Sequence, residues 1–221
     1  MHLRDNTSDQ KVYREIFIKK VYEKHGFKID SGESWIDLGA YIGFFSAYAQ
    51  SRGAIIKKIY EPFAENIPFI KDNLKQSCEA IIPKCVTARG DGKQAFYICK
   101  DGNYQRNTTI NHYKRKEMIT RLVDSDAFGD ILFDDCCVKM DIEGSELAII
   151  DECHPTFKKI NKMVLEYHTD KDNLLENYYR RVKILEKYFA YVKYDRLKQK
   201  DGSTRGALKI FPSGRLIYCC N

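Results

Sequence analysis

Apolar positions along this chain follow two rhythms, short continuous runs and spacings of three or four, and their alternation predicts strands interleaved with helices. Tyr13, Phe17 and Val21, with Ile16 beside them, predict a first helix capped by Thr7 or Ser8 and ended by Gly26. Residues 35–38 read as a strand, 44–52 as a helix stopped by Gly53, and 55–60 as the next strand. Ile67, Ile70 and Leu74 share one face of a helix over 63–76, and a third strand is expected over 80–86. After the Gly90-Asp91-Gly92 turn an extra strand is expected over 94–100, whereas 101–116 has no apolar period.

The rhythm then resumes. Strands are expected over 136–141 and 162–167, separated by a helix over 145–153. A strong amphipathic helix over 174–189 runs through Leu175, Tyr178, Val182, Leu185 and Phe189. Three strands follow, over 191–197, 207–211 and 216–219, joined by turns rather than helices, so they are expected to be antiparallel. The predicted fold class is α/β, a mostly parallel sheet with helices on both faces. Ligands of such a sheet lie beyond the carboxyl ends of its strands, at the point where strand order reverses.

Composition narrows the picture. At 221 residues with five scattered prolines, the chain is read as one domain over 1–221. Residues 1–30 form an N-terminal helical cap and 101–120 a variable insertion on the acceptor side. No stretch reaches the roughly 20 apolar residues of a membrane span, and the N-terminus lacks a signal peptide's apolar run, so a cytoplasmic protein is expected. The eight cysteines include two vicinal pairs but no CxxC or His/Cys ligand spacing, which points to reduced thiols rather than zinc. The net charge of +6 gathers at Lys114-Arg115-Lys116 and from Arg180 to Lys200. The plain reading of these clusters is a solvated helix face.

Four constellations carry chemistry. The turn Asp37-Leu38-Gly39-Ala40-Tyr41-Ile42-Gly43 puts glycines where a chain leaving a strand must turn sharply and let a ligand approach. Its GxxxG differs from the GxGxxG of dinucleotide enzymes, and a purely structural turn would give the same letters. Glu61 ends the second strand 24 positions after Asp37, where a carboxylate can accept from both ribose hydroxyls, with Pro62 behind it. Asp141 and Glu143 stand at the mouth of the 136–141 strand, and Glu166 and His168 end the next. A helix cap or a surface histidine is the plainer explanation of each taken singly.

In order and spacing these blocks resemble the FkbM-type methyltransferases, over roughly residues 33 to 170. The pattern is matched by Asp37 to Gly43, Glu61-Pro62 with Asn66 and Asn73, Lys139-Met140-Asp141-Ile142-Glu143-Gly144-Ser145-Glu146, and Leu165-Glu166-Tyr167-His168. The resemblance implies a Rossmann-like seven-stranded sheet, S-adenosylmethionine as methyl donor, and a hydroxyl acceptor, often on a sugar of a glycan.

Asp37, Gly39, Ala40, Tyr41 and Gly43 would then surround the methionine part, with Asp141 beside them. Glu61 and Pro62 would take the ribose, and Ala88, between Thr87 and Arg89, the adenine. His168, Asp141 and Glu143 are the candidate bases, since a sugar hydroxyl holds its proton tightly at neutral pH. Asp141, Glu143, Glu166 and His168 could instead hold Mg²⁺ or Mn²⁺. Asn107, Thr108, His112 and Tyr113 are candidates to line the acceptor pocket.

The expected partner is a small-molecule or glycan acceptor, reached inside a larger glycan-synthesis protein. A nucleic-acid amine is disfavoured, because Asp141-Ile142-Glu143-Gly144 stands where such enzymes carry an Asn/Asp-Pro-Pro-aromatic run. A non-sugar or lipid hydroxyl, a nucleotide-dependent oxidoreductase and an inactive binding domain are the competing readings.

Overall fold

The computed structural model describes residues 1–5, 7–76, 78–99, 107–109, 118–168, 174–194 and 215–221. Its strands are β1 (Ser34–Leu38), β2 (Ile55–Tyr60), β3 (Ala80–Ile82), β4 (Cys85–Thr87), β5 (Lys93–Cys99), β6 (Met118–Ala127), β7 (Cys136–Met140), β8 (Ile160–Tyr167), β9 (Tyr191–Tyr194) and β10 (Arg215–Cys220). Its α-helices are α1 (Asp9–Tyr13), α2 (Phe44–Ser51), α3 (Ile67–Asn73), α4 (Phe128–Ile131), α5 (Glu146–Cys153) and α6 (Leu174–Leu185).

Seven strands form one sheet in the order β3-β2-β1-β7-β8-β10-β9. β3, β2, β1, β7 and β8 are parallel, while β10 pairs antiparallel with both β8 and β9. This is the α/β sheet expected, with the antiparallel pairing confined to its C-terminal edge. From β1 the chain first builds outward through β2 and β3, then returns to the other side of β1 with β7. The reversal opens a crevice at the carboxyl ends of β1 and β7.

Alternation along the central strands explains the two core layers. Ile36, Leu38, Cys136, Val138 and Met140 face one layer, covered by α4, α5 and α6. Trp35, Cys137 and Val164 face the other, covered by α2, α3 and the N-terminal segment. Vicinal Cys136 and Cys137 thus enter opposite layers as small hydrophobes, and burial pushes their thiols up to about 11 and about 12. Asp37 and Lys139, in register with each other, share the face of Trp35 and Cys137. Two charged groups are thereby turned into an apolar layer.

Several elements differ from expectation. The first helix lasts five residues and passes into a π-turn over Arg14–Ile18, within which Phe17 stacks on Tyr13 and packs edge-on against Tyr48. The third strand divides at Pro83: Ala80–Ile82 joins the main sheet, and Cys85–Thr87 pairs instead with β6. β6, which also pairs with β5, falls where the pattern predicted nothing. Arg181 is not on a solvated face; it is buried, paired with Asp151 at 2.7 Å and donating to the Tyr167 hydroxyl at 2.9 Å. The strand expected over 207–211 and the Lys114-Arg115-Lys116 cluster lie outside the described residues. Among the described residues, no helix is long and apolar enough to cross a membrane.

Candidate functional site

The glycine turn leaves β1 with Gly39 at φ +74°, Tyr41 at +56° and Gly43 at +81°. The N–H groups of Gly39 and Ala40 both donate to the Tyr60 carbonyl. Tyr41 N–H donates to Glu61 Oε2 at 2.7 Å, and Phe63 N–H to Glu61 Oε1 at 2.9 Å. Glu61 therefore fastens the turn to the end of β2 before any ligand is considered. Asn73, from α3, donates to the Ile42 carbonyl at 2.9 Å and completes the bracing.

Gly39 also meets a different neighbour from the one the sequence suggested. A Cβ there would lie 1.8 Å from the Asp141 carbonyl oxygen, so the close approach is made by the chain leaving β7. Beneath this contact Lys139 Nζ lies 2.7 Å from the Gly39 carbonyl oxygen, 3.3 Å from Asp37 Oδ1 and 3.9 Å from Asp141 Oδ2. Ser46 donates to the other Asp37 oxygen at 2.7 Å. Asp37 Oδ1 accepts no well-aligned hydrogen bond, which leaves a buried acceptor at the root of the turn. Above the turn, Asp9 accepts from the Tyr41 hydroxyl and pairs with Arg4, whose guanidinium lies 4.9 Å from the Tyr41 ring centroid. The N-terminal segment thus covers Tyr41.

Glu61 is 5% exposed, and burial pushes its carboxyl up to about 7. The Phe63 and Tyr41 N–H groups, Asn66 and Lys139 all pull the other way. Because the folded state holds this proton more tightly than the unfolded chain does, the contribution is complete at low pH. It is lost as pH rises through about 7. The unfolding free energy of Glu61→Gln, measured by urea denaturation, is expected to fall less than wild type between about pH 5 and 8. The difference should be on the order of 2 kcal/mol.

Across the crevice, β7 and β8 deliver the second half of the site. His168 Nε2 lies 3.6 Å from Glu143 Oε2, 3.8 Å from Glu166 Oε1 and 4.0 Å from Asp141 Oδ1. Its Nδ1 lies 2.8 Å from Glu146 Oε1. Burial and the neighbouring carboxylates push Glu143 up to about 8 and Glu166 up to about 7, while His168 is raised because Glu146 and Glu143 outweigh its own burial. Of the four residues that the sequence grouped, the structure brings Asp141, Glu143 and His168 within 4.8 Å of one another, and Glu166 Oε1 approaches that group at His168. Sequence reasoning left out Glu146 and Lys139, although both stand in the quoted Lys139 to Glu146 block, because a periodic pattern does not show which polar residue is turned inward.

No family model and no curated protein matches this chain. Among solved structures it is similar to precorrin-6y C5,15-methyltransferase from Geobacter metallireducens, with 17% identity over 100% of this chain and 94% of that one, at a TM-score of 0.47. It is similar also to magnesium protoporphyrin IX methyltransferase from Synechocystis with bound S-adenosylmethionine, with 9% identity over 100% and 86%, at 0.49. The bifunctional kinase-methyltransferase WbdD is matched at 14% identity over 99% of this chain and 40% of that one, at 0.42. At such identities and scores these likenesses bear on no residue of the site.

The Ala88 carbonyl accepts from Cys153 Sγ at 3.3 Å, and Arg89 pairs with Glu152 at 2.8 Å, which places this segment beside the last turn of α5. Next to Glu61 along the chain, Pro62 and Phe63 line a cleft of about 250 Å³ together with Pro83, Phe96 and Arg121. From the insertion, Thr108 donates to the Glu143 carbonyl at 2.6 Å, and Thr109 meets the Ser145 hydroxyl. Asn107 Oδ1 accepts from Cys99 N–H at 3.0 Å. Thr108 is thereby brought beside Glu143, whereas His112 and Tyr113 lie outside the described residues.

Proposed function

We propose that this chain is an S-adenosylmethionine-dependent O-methyltransferase acting on a hydroxyl of a sugar in a glycan or glycoconjugate, in the manner its FkbM-type motifs imply. The observation that carries the reading is the placement of Glu61 and the Asp141, Glu143, His168 group on opposite sides of one switch-point crevice. An ionised carboxylate has about four acceptor positions. Two on Glu61 are taken by backbone N–H groups, which leaves two for a vicinal ribose diol. Asp37, whose Oδ1 lies 3.3 Å from Lys139 Nζ, Gly39, Ala40, Tyr41 and Gly43 border the place for the methionine part. Pro62 and Phe63 offer the purine an apolar wall.

The sulfonium donor supplies the methyl group: its S–C bond breaks with the electron pair returning to sulfur as the C–O bond forms. The chain's part is to hold the acceptor oxygen in line and to take its proton at Asp141, Glu143 or His168. The partly exposed carboxylates of Asp141, Glu143 and Glu166 suit an acceptor rich in hydroxyls.

In differential scanning fluorimetry, S-adenosylmethionine at about 100 times its Kd should add roughly 2.7 kcal/mol, a rise in Tm of several degrees. Glu61→Ala should lose that rise. No shift at saturating ligand, with Glu61→Ala behaving as wild type, would sink the assignment. Labelled cofactor offered with a panel of glycosides then tests the acceptor; label taken up only by proteins or nucleic acids would exclude the sugar.

A further inference from the structure

His168 shows its two ring nitrogens very different surroundings. Glu146, fully buried, accepts through Oε1 from both the His168 backbone N–H, at 2.7 Å, and Nδ1, at 2.8 Å. Its Oε2 accepts from Gly144 N–H at 2.8 Å, so the carboxylate is held from three directions. Nδ1 is thereby fixed as the donor, and Nε2 is left facing Asp141, Glu143 and Glu166. The separations on that side, 3.6 to 4.0 Å, are too long for hydrogen bonds. They are, however, the spacing of donor atoms that surround one cation at about 2.0–2.2 Å each. Ligand atoms of Asp141, Glu143 and His168 all fall within 4.8 Å of one another.

An ion-pair cluster explains this geometry less well. An imidazolium satisfied by salt bridges would bring Nε2 to hydrogen-bond distance of at least one carboxylate, and none of the three is there. Lys139, which lies 3.9 Å from Asp141, also serves Asp37 and the Gly39 carbonyl. A buried outer carboxylate that orients an imidazole through one nitrogen, so that the other faces further donors, is the arrangement by which proteins prepare a metal-binding histidine.

We propose that Asp141, Glu143 and His168 bind a divalent transition cation, with Glu146 as the outer group that sets the imidazole. Two carboxylates with one imidazole and no thiolate suit Mn²⁺ better than Ca²⁺, which takes an all-oxygen shell. Three protein donors leave a six-coordinate ion three open positions, two of which suit two neighbouring hydroxyls of a sugar. That last step, the diol as occupant, rests on the methyltransferase reading; cation binding does not.

The test is titration of the full chain, stripped with chelator, with MnCl₂ followed by electron paramagnetic resonance of the free ion. One saturable site is expected, weakened at least about tenfold in Asp141→Asn, Glu143→Gln and Glu146→Gln. The first two variants replace partly exposed groups by isosteres, so they remain folded where His168→Ala, which strands buried Glu146, need not. Uptake that is absent up to about 1 mM, the weak end of protein sites for hard divalent cations, overturns the proposal. So does uptake that both isosteric variants leave unchanged. A rise in Tm with S-adenosylmethionine but no Mn²⁺ uptake overturns the cation site and leaves the methyltransferase reading standing. Uptake lost in the variants supports the site even where the cofactor gives no rise.

Discussion

Gly39→Ala is expected to lower the unfolding free energy by about 3–5 kcal/mol, among the largest effects of any single substitution. The methyl group would sit 1.8 Å from the Asp141 carbonyl oxygen and 2.9 Å from its carbonyl carbon, both main-chain atoms held in place by the Asp141 N–H bond to the Leu38 carbonyl. Neither side of the contact can step aside, because the turn is fastened to Glu61 and the β7 end to β1. The left-handed φ of +74° adds about 1 kcal/mol of its own. Gly32, at φ +85° with nothing within 4 Å of its missing Cβ, supplies the control. Gly32→Ala should cost only the conformational part, about 1 kcal/mol. Thermal unfolding of the two variants measures the difference; equal shifts in Tm would mean that the turns after β1 and β7 do not touch.

Lys139→Met is expected to cost a similar amount, about 3–5 kcal/mol, because it removes the counter-charge of a fully buried carboxylate. Asp37 would keep only the Ser46 hydroxyl, and the carbonyls of Leu38 and Gly39 would lose a donor at 3.3 and 2.7 Å. The loss should be shared between stability and cofactor binding, since the same ammonium holds the floor of the glycine turn. Asp37→Asn combined with Lys139→Met should cost clearly less than the sum of the two single changes, because the double variant leaves no unpaired charge. Strict additivity in urea denaturation would refute the pairing.

Both predictions concern residues that the pattern of the chain marks unequally. Gly39 stands out in the sequence because a glycine after a strand implies a sharp turn. That its partner is the Asp141 carbonyl, 102 positions later by number (141 − 39), is a fact of the β1–β7 pairing. Lys139 reads as one polar letter inside an apolar strand. Only register against Asp37 turns it into a buried ion pair.

The misplaced elements have the same origin. Over Met118–Ala127 half of the side chains are exposed and only Ser125 is buried, with Leu122 at 67% and Ile119 at 43%, so no burial rhythm marks the strand. It exists because β5 and β4 satisfy its backbone. Ala88 follows a strand as an adenine-binding residue would, and the contact of its carbonyl with Cys153 at the end of α5 is one that no local pattern shows. Glu146 looks like an ordinary acidic residue in the first turn of a helix. Its burial beneath His168 could not be read locally, since the two meet only when β7 and β8 lie side by side.

By itself, then, the sequence determined the α/β alternation, the turn after β1, the acidic end of β2 and the polar ends of β7 and β8. These are local matters, settled by backbone propensity, by the rhythm of burial and by the stereochemistry of glycine and proline. The tertiary structure decided which of these polar ends face one another, that Glu61 and Lys139 brace the turn from two sides, and that Glu146 sets the ring of His168. Such choices depend on strand order and register, which are governed by contacts between residues far apart in the chain, and no local pattern encodes the energy of burying a charge beside its partner.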